Sequence, residues 1–298
     1  MRCAPAPIHP RRFALKAPSF AYAKPRSLDE VFALAETHGE DAKLLAGGQT
    51  LLATLNMRLS SPALLIDITG VPGLAGIEVK GNTLRIGALT THRAIEHSQE
   101  IATHLPLLAQ AAPHIAHVAI RNAGTLGGSL AHGDPAAEWP ACCVALDATI
   151  VVAAKSGERR VKAREFYRGL FETALGAGEV ITAVEFPIPG AGYRGAFLEL
   201  ARRHGDYAIV GVAAVAKVTG GTLSDVRVAF IGAGPTPILA KSAMAAIEGR
   251  KPGPDTIAAV QAALASDLAP TGDLNGSPAT KLHLARVLCG RALTALAS

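Results

Sequence analysis

Two short glycine-bearing stretches hold most of the chemistry this sequence can offer. The longer one, Gly124-Thr125-Leu126-Gly127-Gly128-Ser129, contains three glycines, two hydroxyls and no charge. The Gly127-Gly128 pair is free to take positive φ and to let a ligand come against the main chain, which would turn the amide N–H groups into an anion cradle. Directly after it, Gly133-Asp134-Pro135-Ala136-Ala137-Glu138 has the form of a helix start, with Asp134 as cap and Pro135 in the first position. Upstream, Leu44-Leu45-Ala46-Gly47-Gly48-Gln49-Thr50 reads as a short apolar strand, two glycines and the beginning of a helical pattern. Two loops of this kind predict a ligand with a long phosphate run, gripped from both sides. On residue chemistry alone the reading stops at a phosphate or pyrophosphate binder.

Each loop sits between a predicted strand and a predicted helix. A weak alternation over 20–24 predicts a first strand, and Ser27-Leu28-Asp29-Glu30 is a capping-box pattern. The helix it opens puts Leu28, Val31, Phe32 and Ala35 at helical spacing and ends at Gly39. A strand over 43–46 enters the first loop, a helix over 50–58 leaves it, and an apolar run over 63–68 predicts a buried strand. Gly81-Asn82 joins 77–80 to 84–87 as a hairpin, and helices over 92–99 and 105–117 lead to the second loop. A helix over 138–146 and strands over 149–154 and 180–186 follow. The cluster Pro187-Ile188-Pro189-Gly190-Ala191-Gly192 marks a domain boundary. Beyond it come strands over 195–200, 209–218 and 223–231, then helices over 239–248, 256–265 and 278–296. Strands followed by helices predict an α+β fold, with domains at 18–187 and 192–298 after an N-terminal extension of residues 1–17.

The composition narrows the function classes. A chain of 298 residues, 49% hydrophobic and 18% charged, is long and apolar enough for two domains with sizeable cores. Its net charge of +5 is dispersed, with no Lys/Arg block to serve as a nucleic-acid footprint, and no apolar run reaches the length of a membrane span. Cys3, Cys142, Cys143 and Cys289 form no C-x-x-C, so the chain carries no iron–sulfur or zinc ligand set, and a reduced cytoplasmic setting fits. The adjacent Cys142 and Cys143 read as small core residues. Arg11-Arg12-Phe13-Ala14-Leu15-Lys16 imitates a twin-arginine signal, but the following 17–25 is not an apolar segment, so residues 1–17 read as an extension and not as a cleaved peptide. His92, His97, His104, His114 and His117 share no helix face and read as solvated surface histidines. Gly232-Ala233-Gly234 followed by Pro235-Thr236-Pro237 lacks the third small residue of a dinucleotide fingerprint and reads as a tight strand-to-helix turn.

With their flanks, the two loops resemble a known family. Ala46-Gly47-Gly48-Gln49-Thr50-Leu51-Leu52 with Asn56-Met57-Arg58-Leu59, and Ile120-Arg121-Asn122 running into Thr125 and on to His132, are similar to the FAD-binding medium subunit of the molybdenum hydroxylases. That group includes carbon monoxide dehydrogenase and the xanthine dehydrogenase-like enzymes. The likeness extends from about residue 20 to the C-terminus. It implies a two-subdomain FAD-binding domain of the vanillyl-alcohol oxidase (PCMH-like) type, followed by a smaller α+β C-terminal domain. It also implies FAD held in an extended form, its pyrophosphate against both loops. Ala46, Gly47, Gly48, Gln49, Thr50 and Leu51 would lie on one side; Gly124, Thr125, Gly127, Gly128, Ser129 and His132 would lie on the other. Glu138 matches the family's carboxylate near the flavin or ribitol, and Ile181 a backbone contact near the adenine end. Tyr207 follows Arg202-Arg203-His204-Gly205-Asp206, the turn that the second domain presents to the isoalloxazine.

There are departures from the family pattern. Ile115 stands where several relatives have an aromatic to stack on adenine, and Ser129 where an Asn or Asp is frequent. Leu198-Glu199-Leu200 lacks a lysine found in many relatives, which implies a different flavin reduction potential. The resemblance implies an electron-transfer subunit of a heterotrimeric molybdenum hydroxylase. A molybdenum cofactor on a large subunit hydroxylates substrate, two [2Fe-2S] clusters on a small subunit carry the electrons, and FAD on this chain passes them to an external acceptor. No residue of this chain is then catalytic, and the assembly is expected to be a dimer of heterotrimers. Two alternatives stay open: a scaffold subunit without flavin, opposed by the intact loops, and a free-standing FAD oxidoreductase, opposed by the lack of a convergent acid–base set.

Overall fold

The computed structural model describes residues 16–298. The expected N-terminal extension, residues 1–17, therefore lies outside the described residues except for its last two positions. The chain builds three sheets of three to five strands in succession, beside a two-stranded ribbon of Tyr167–Gly169 and Glu172–Thr173, and the α+β expectation holds. The first is small and parallel, with Leu64–Asp67 between Ala21–Ala23 and Ala42–Leu45. Leu64 and Ile66 pack with Val31 and Phe32 of the helix Leu28–His38. Ser27 caps that helix through Glu30 N at 3.2 Å, while the Glu30 carboxylate accepts from Arg26 N at 2.8 Å, one residue earlier than a standard capping box.

The second sheet is antiparallel, in the order Ile77–Lys80, Thr83–Gly87, Val180–Pro187, Thr149–Ala154, Gly157–Lys162. Its central strand arrives last in sequence, so all the helices around the second glycine loop are bracketed by one sheet. The third sheet, in the order Tyr193–Leu200, Val210–Thr219, Thr222–Ile231, Ile238–Leu239, is also antiparallel. Its strand Val210–Thr219 is apolar on both faces. Ala213 and Val215 join the core of the preceding domain, while Val212, Ala214 and Ala216 join the core made with the C-terminal helices. Strand side chains alternate between faces, so a run of small apolar residues suits a sheet covered on both sides. The cover on one side is Pro106–Ala111 and Glu138–Ala145; on the other it is Lys241–Ile247 and Pro278–Ala297, with Pro254–Asp267 packed against these two helices.

Contact across this junction is close. A Cβ on Gly195 would stand 2.9 Å from Leu107 Cβ. Gln110 completes the edge of the sheet as a strand would, donating from Nε2 to Gly195 O at 3.0 Å and accepting at Oε1 from Phe197 N at 3.0 Å. Gly232 takes φ of +70° and donates to Pro135 O at 2.9 Å, so the stretch after Ile231 is the tight turn its prolines imply.

The helical stretch before the second loop is more broken than its apolar spacing predicts. In place of helices over 92–99 and 105–117 there are His92–Glu96, Gln99–His104, Pro106–Ala111 and Val118–Arg121. Ser98 caps a new helix through Ile101 N at 3.2 Å, and Pro113 sits in the 3-10 turn Ala112–His114, where a helix interior would clash. The interruption carries Ile115 and Ala116 outward to the rim of the cavity described below. Arg121 holds them there: its Nη1 donates to Ile115 O at 3.1 Å and Ala116 O at 3.0 Å, and its Nε to Glu96 at 2.8 Å.

Candidate cofactor-binding site

A cavity of about 830 Å³ opens between the first lobe, the second glycine loop and the turn before Val210–Thr219. That volume lies in the range of small-molecule and cofactor sites. Its wall takes in both glycine loops, His132, Glu138, Ile181 and Tyr207, so the structure brings the whole sequence-derived set together. The first loop has the form expected of it. Gly48 takes φ of +71°, and among the described residues the N–H groups of Gly47, Gly48, Gln49 and Thr50 donate to no protein acceptor. Unpaired amides facing a cavity are an anion cradle. Gln49 fixes the loop by donating from Nε2 to Gly47 O at 2.9 Å.

The second loop differs from expectation. Gly127 and Gly128 do not take positive φ; they lie in the first turn of the helix Leu126–His132. Thr125 caps that helix, accepting at Oγ1 from Gly128 N at 3.1 Å. Leu126 N donates to Thr90 O at 3.0 Å and Gly127 N to Ala88 O at 2.8 Å. These amides are already engaged, so the loop offers the cavity the hydroxyls of Thr125 and Ser129 and close approach at Gly128. Gly127 is small because a Cβ would meet Ala88 Cβ at 2.6 Å.

Asp134 does not cap a helix either. Its Oδ1 accepts from Ala136 N at 2.8 Å in a turn that follows Gly133, whose φ of +65° ends the preceding helix. Pro135 falls in that turn, and the next helix begins only at Glu138, without a side-chain cap.

The two loops abut. A Cβ on Gly47 would stand 2.2 Å from Ala123 O, closer than any real contact. This is a backbone-to-backbone joint between the first lobe and the helical region. It explains why a glycine is needed at a position whose φ is ordinary.

Several wall residues escaped the sequence reading. His92 is buried and not solvated: its Nδ1 accepts from Trp139 Nε1 at 2.9 Å, which leaves the remaining proton on Nε2. Burial, then the charge of Arg121, holds the imidazole down to about 4, so it is neutral at pH 7. No sequence pattern marks it, because its partner lies 47 residues away. His92→Phe keeps the ring volume but leaves a buried indole N–H unpaired. The expected cost is about 1–3 kcal/mol of stability, read as a lowered denaturant midpoint with unchanged slope.

Glu138 is buried in the wall, and burial, then Glu199, then Asp134, push its carboxyl up to about 8. Phe171, at φ of +56°, stacks on His132 with ring centroids 5.0 Å apart. The turn carrying Tyr207 is set by Gly205, whose φ is +88° and whose Cβ would lie 2.5 Å from His117 Cε1. The Tyr207 ring is 60% exposed at the cavity mouth.

The family model described as the FAD binding domain in molybdopterin dehydrogenase matches residues 18–189, and that of the CO dehydrogenase flavoprotein C-terminal domain matches 195–296. The chain belongs to the FAD-binding medium subunits of the molybdenum hydroxylases. It is 39% identical to the nicotine 6-hydroxylase medium subunit of Paenarthrobacter nicotinovorans over 279 residues, 94% of this chain and 98% of that one. It is 38% identical to the carbon monoxide dehydrogenase medium chain of Hydrogenophaga pseudoflava over 281 residues, 93% and 97% of the two. Among solved structures, the carbon monoxide dehydrogenase of Hydrogenophaga pseudoflava that lacks the Mo-pyranopterin moiety superposes with a TM-score of 0.92 at 38% identity, covering 94% of this chain and 98% of that one. Quinoline 2-oxidoreductase of Pseudomonas putida 86 gives 0.90 at 37%, covering 95% and 98%.

The cofactor of a medium subunit is FAD. The wall suits it, with free amides at one loop, hydroxyls at the other, and backbone that only glycine leaves open.

Proposed function

We propose that FAD binds in this cavity with its pyrophosphate on the free amides of Gly47, Gly48, Gln49 and Thr50, and with Thr125 and Ser129 completing the grip. Ile181 borders the adenine end, and Glu138, His132 and Tyr207 border the flavin end. The observation that carries this reading is the row of unpartnered amides facing the cavity, met from the other side by uncharged hydroxyls. Bound FAD supplies a carrier that accepts electrons and passes them on. The chain's own part is to hold it, orient it and keep water from its buried edge. Residues 18–187 act as the FAD-binding domain and 192–298 as the domain that brings Tyr207 to the mouth.

The chain works as the flavin subunit beside a small iron–sulfur subunit and a large molybdenum subunit, in a dimer of heterotrimers, with electrons entering from the clusters and leaving to an external acceptor. Co-purification from the native source tests this: one FAD per chain, with cluster and molybdenum counts matching a doubled heterotrimer by native mass. A flavin-free preparation, or a chain that runs alone, overturns it.

Tyr207→Ala tests the flavin end. The ring is mostly exposed, so its loss is expected to change stability by less than about 0.5 kcal/mol. It is expected to shift the bound flavin's visible spectrum and to speed its reaction with small oxidants. An unchanged spectrum and unchanged oxidant reactivity remove Tyr207 from the site.

A further inference from the structure

Three ionisable side chains from three different elements are coupled in pairs, with one at the cavity wall and one at the surface. Glu138, at the start of Glu138–Ala145, belongs to the wall. Glu199, on Tyr193–Leu200, is near enough for its charge to act on Glu138, and its side chain is only 4% exposed. Its Oε1 is 3.3 Å from His114 Nδ1, and its Oε2 is buried with no hydrogen-bond partner. His114 is 38% exposed, and its ring is held against Phe197 at a centroid distance of 5.3 Å. A buried carboxylate with an orphaned oxygen is costly, and the fold keeps one in contact with a histidine that reaches water and within the electrostatic reach of a second buried acid.

We propose that Glu138, Glu199 and His114 form a proton path between the flavin cavity and solvent. It rests on the reading that FAD occupies that cavity. Electrons delivered by iron–sulfur clusters arrive without protons, so charge added within the cavity calls for proton uptake from water. The orphaned Oε2 is the atom that takes part in the exchange with Glu138. Glu138 gives up its carboxyl proton on the cavity side, Glu199 returns one to Glu138, and His114 restores the proton of Glu199 from water. An imidazole suits the last role because it can both accept and release a proton. No electron passes through these residues and no bond other than to hydrogen changes.

The surroundings keep this line of acids free of competing cations. The charge effects on Glu138 come from Glu199 and Asp134, both of which favour its protonated form, as does its burial. Cys142, one helical turn along, is held protonated by burial. Pro106–Ala111 brings no charged residue, and Leu126–His132 brings only His132, stacked on Phe171. Arg164, beside Ala163, pairs with Asp147 and Glu165, and Arg227 on the sheet pairs with Asp225. Lys217 is exposed. Lys281, His283, Arg286 and Arg291 belong to Pro278–Ala297, on the other face of the sheet. Near His114, Arg121 is paired with Glu96. At the flavin end Asp206 and Tyr207 border the cavity, and Arg202, Arg203 and His204 of the same turn are exposed to solvent.

The experiment follows proton and electron uptake separately in the FAD-loaded full chain. The flavin is reduced in weak buffer by methyl viologen radical, a one-electron donor that releases no proton; its bleaching is read beside a pH-indicator dye, and flavin occupancy is measured in the same sample. In the parent chain, proton uptake keeps pace with bleaching. Glu199→Gln and His114→Ala are each expected to slow proton uptake at least tenfold at full occupancy, and added imidazole is expected to restore the His114→Ala rate. Uptake that keeps pace in His114→Ala, or a slow rate that imidazole leaves unchanged, overturns the path. A parent chain that holds no flavin counts against the site itself. Should Glu199→Gln not fold, the His114→Ala pair of measurements decides alone.

Discussion

Gly47→Val is expected to give a colourless protein. The new Cβ would stand 2.2 Å from the Ala123 carbonyl oxygen and 2.8 Å from Gly124 Cα, both backbone atoms that cannot swing aside. The two loops must therefore part, and the grip on a pyrophosphate depends on their being joined. Overpacking of this kind costs about 1–3 kcal/mol, and more where backbone must move. If all of it falls on the bound form, FAD affinity drops by about 5- to 150-fold or more. Flavin absorbance per chain after desalting measures the outcome, and circular dichroism checks that the sheets survive. Full occupancy in the variant would mean that the joint between the loops does not control binding. Gly48→Val and Gly128→Val are milder. The first is opposed by a φ of +71°, and the second by Thr125 Oγ1 at 2.8 Å, a hydroxyl that can rotate away.

Glu138 gives the chain a pH dependence of definite sign. Its carboxyl is pushed from 4.5 up to about 8 in the folded protein, chiefly by burial. Below pH 4.5 both folded and unfolded chains hold this proton, and the residue contributes no slope. Between 4.5 and about 8 the unfolded chain releases it while the folded chain keeps it, so stability falls as pH rises, by about 1.4 kcal/mol per unit. The accumulated loss by pH 8 is about 4–5 kcal/mol. Glu138→Gln removes the titration and is expected to flatten the curve, leaving the variant more stable than the parent at pH 8 and close to it at pH 5. Denaturant unfolding at both pH values tests this. Parallel curves for the two proteins would show that Glu138 is ionised when folded.

Much of the scaffold was legible because local signals agreed with one another. Ser27 and Glu30 announce the first helix, Gly81-Asn82 the hairpin, and the strand signals over 195–200, 209–218 and 223–231 the third sheet, though not its burial on both faces. The first glycine loop was legible in detail, since Gly48 does take the left-handed backbone. At the second loop the signals competed. Thr125 is as good a cap as Asp134 and comes first, so the helix starts there and takes Gly127 and Gly128 with it. Over 105–117 the apolar spacing is helical, yet Pro113 breaks it. His92, Glu199 and Phe171 acquire their positions only through partners distant in sequence, such as Trp139 for His92, and nothing in their neighbourhoods signals them.

The third sheet, covered on both faces, also bears on how such subunits diverge. One face is fitted to the flavin-side helices through Ala213 and Gly195, and Gln110 is stitched into its edge. The C-terminal part is thus not a detachable module. A segment transplanted from a relative would bring a foreign set of bumps and hollows to a seam where even a Cβ on Gly195 would stand 2.9 Å from Leu107. Lineages that exchange electron acceptors by recombination would have to inherit both sides of that seam together, whereas the exposed Arg202, Arg203 and His204, ahead of the fixed Gly205, are free to vary one residue at a time.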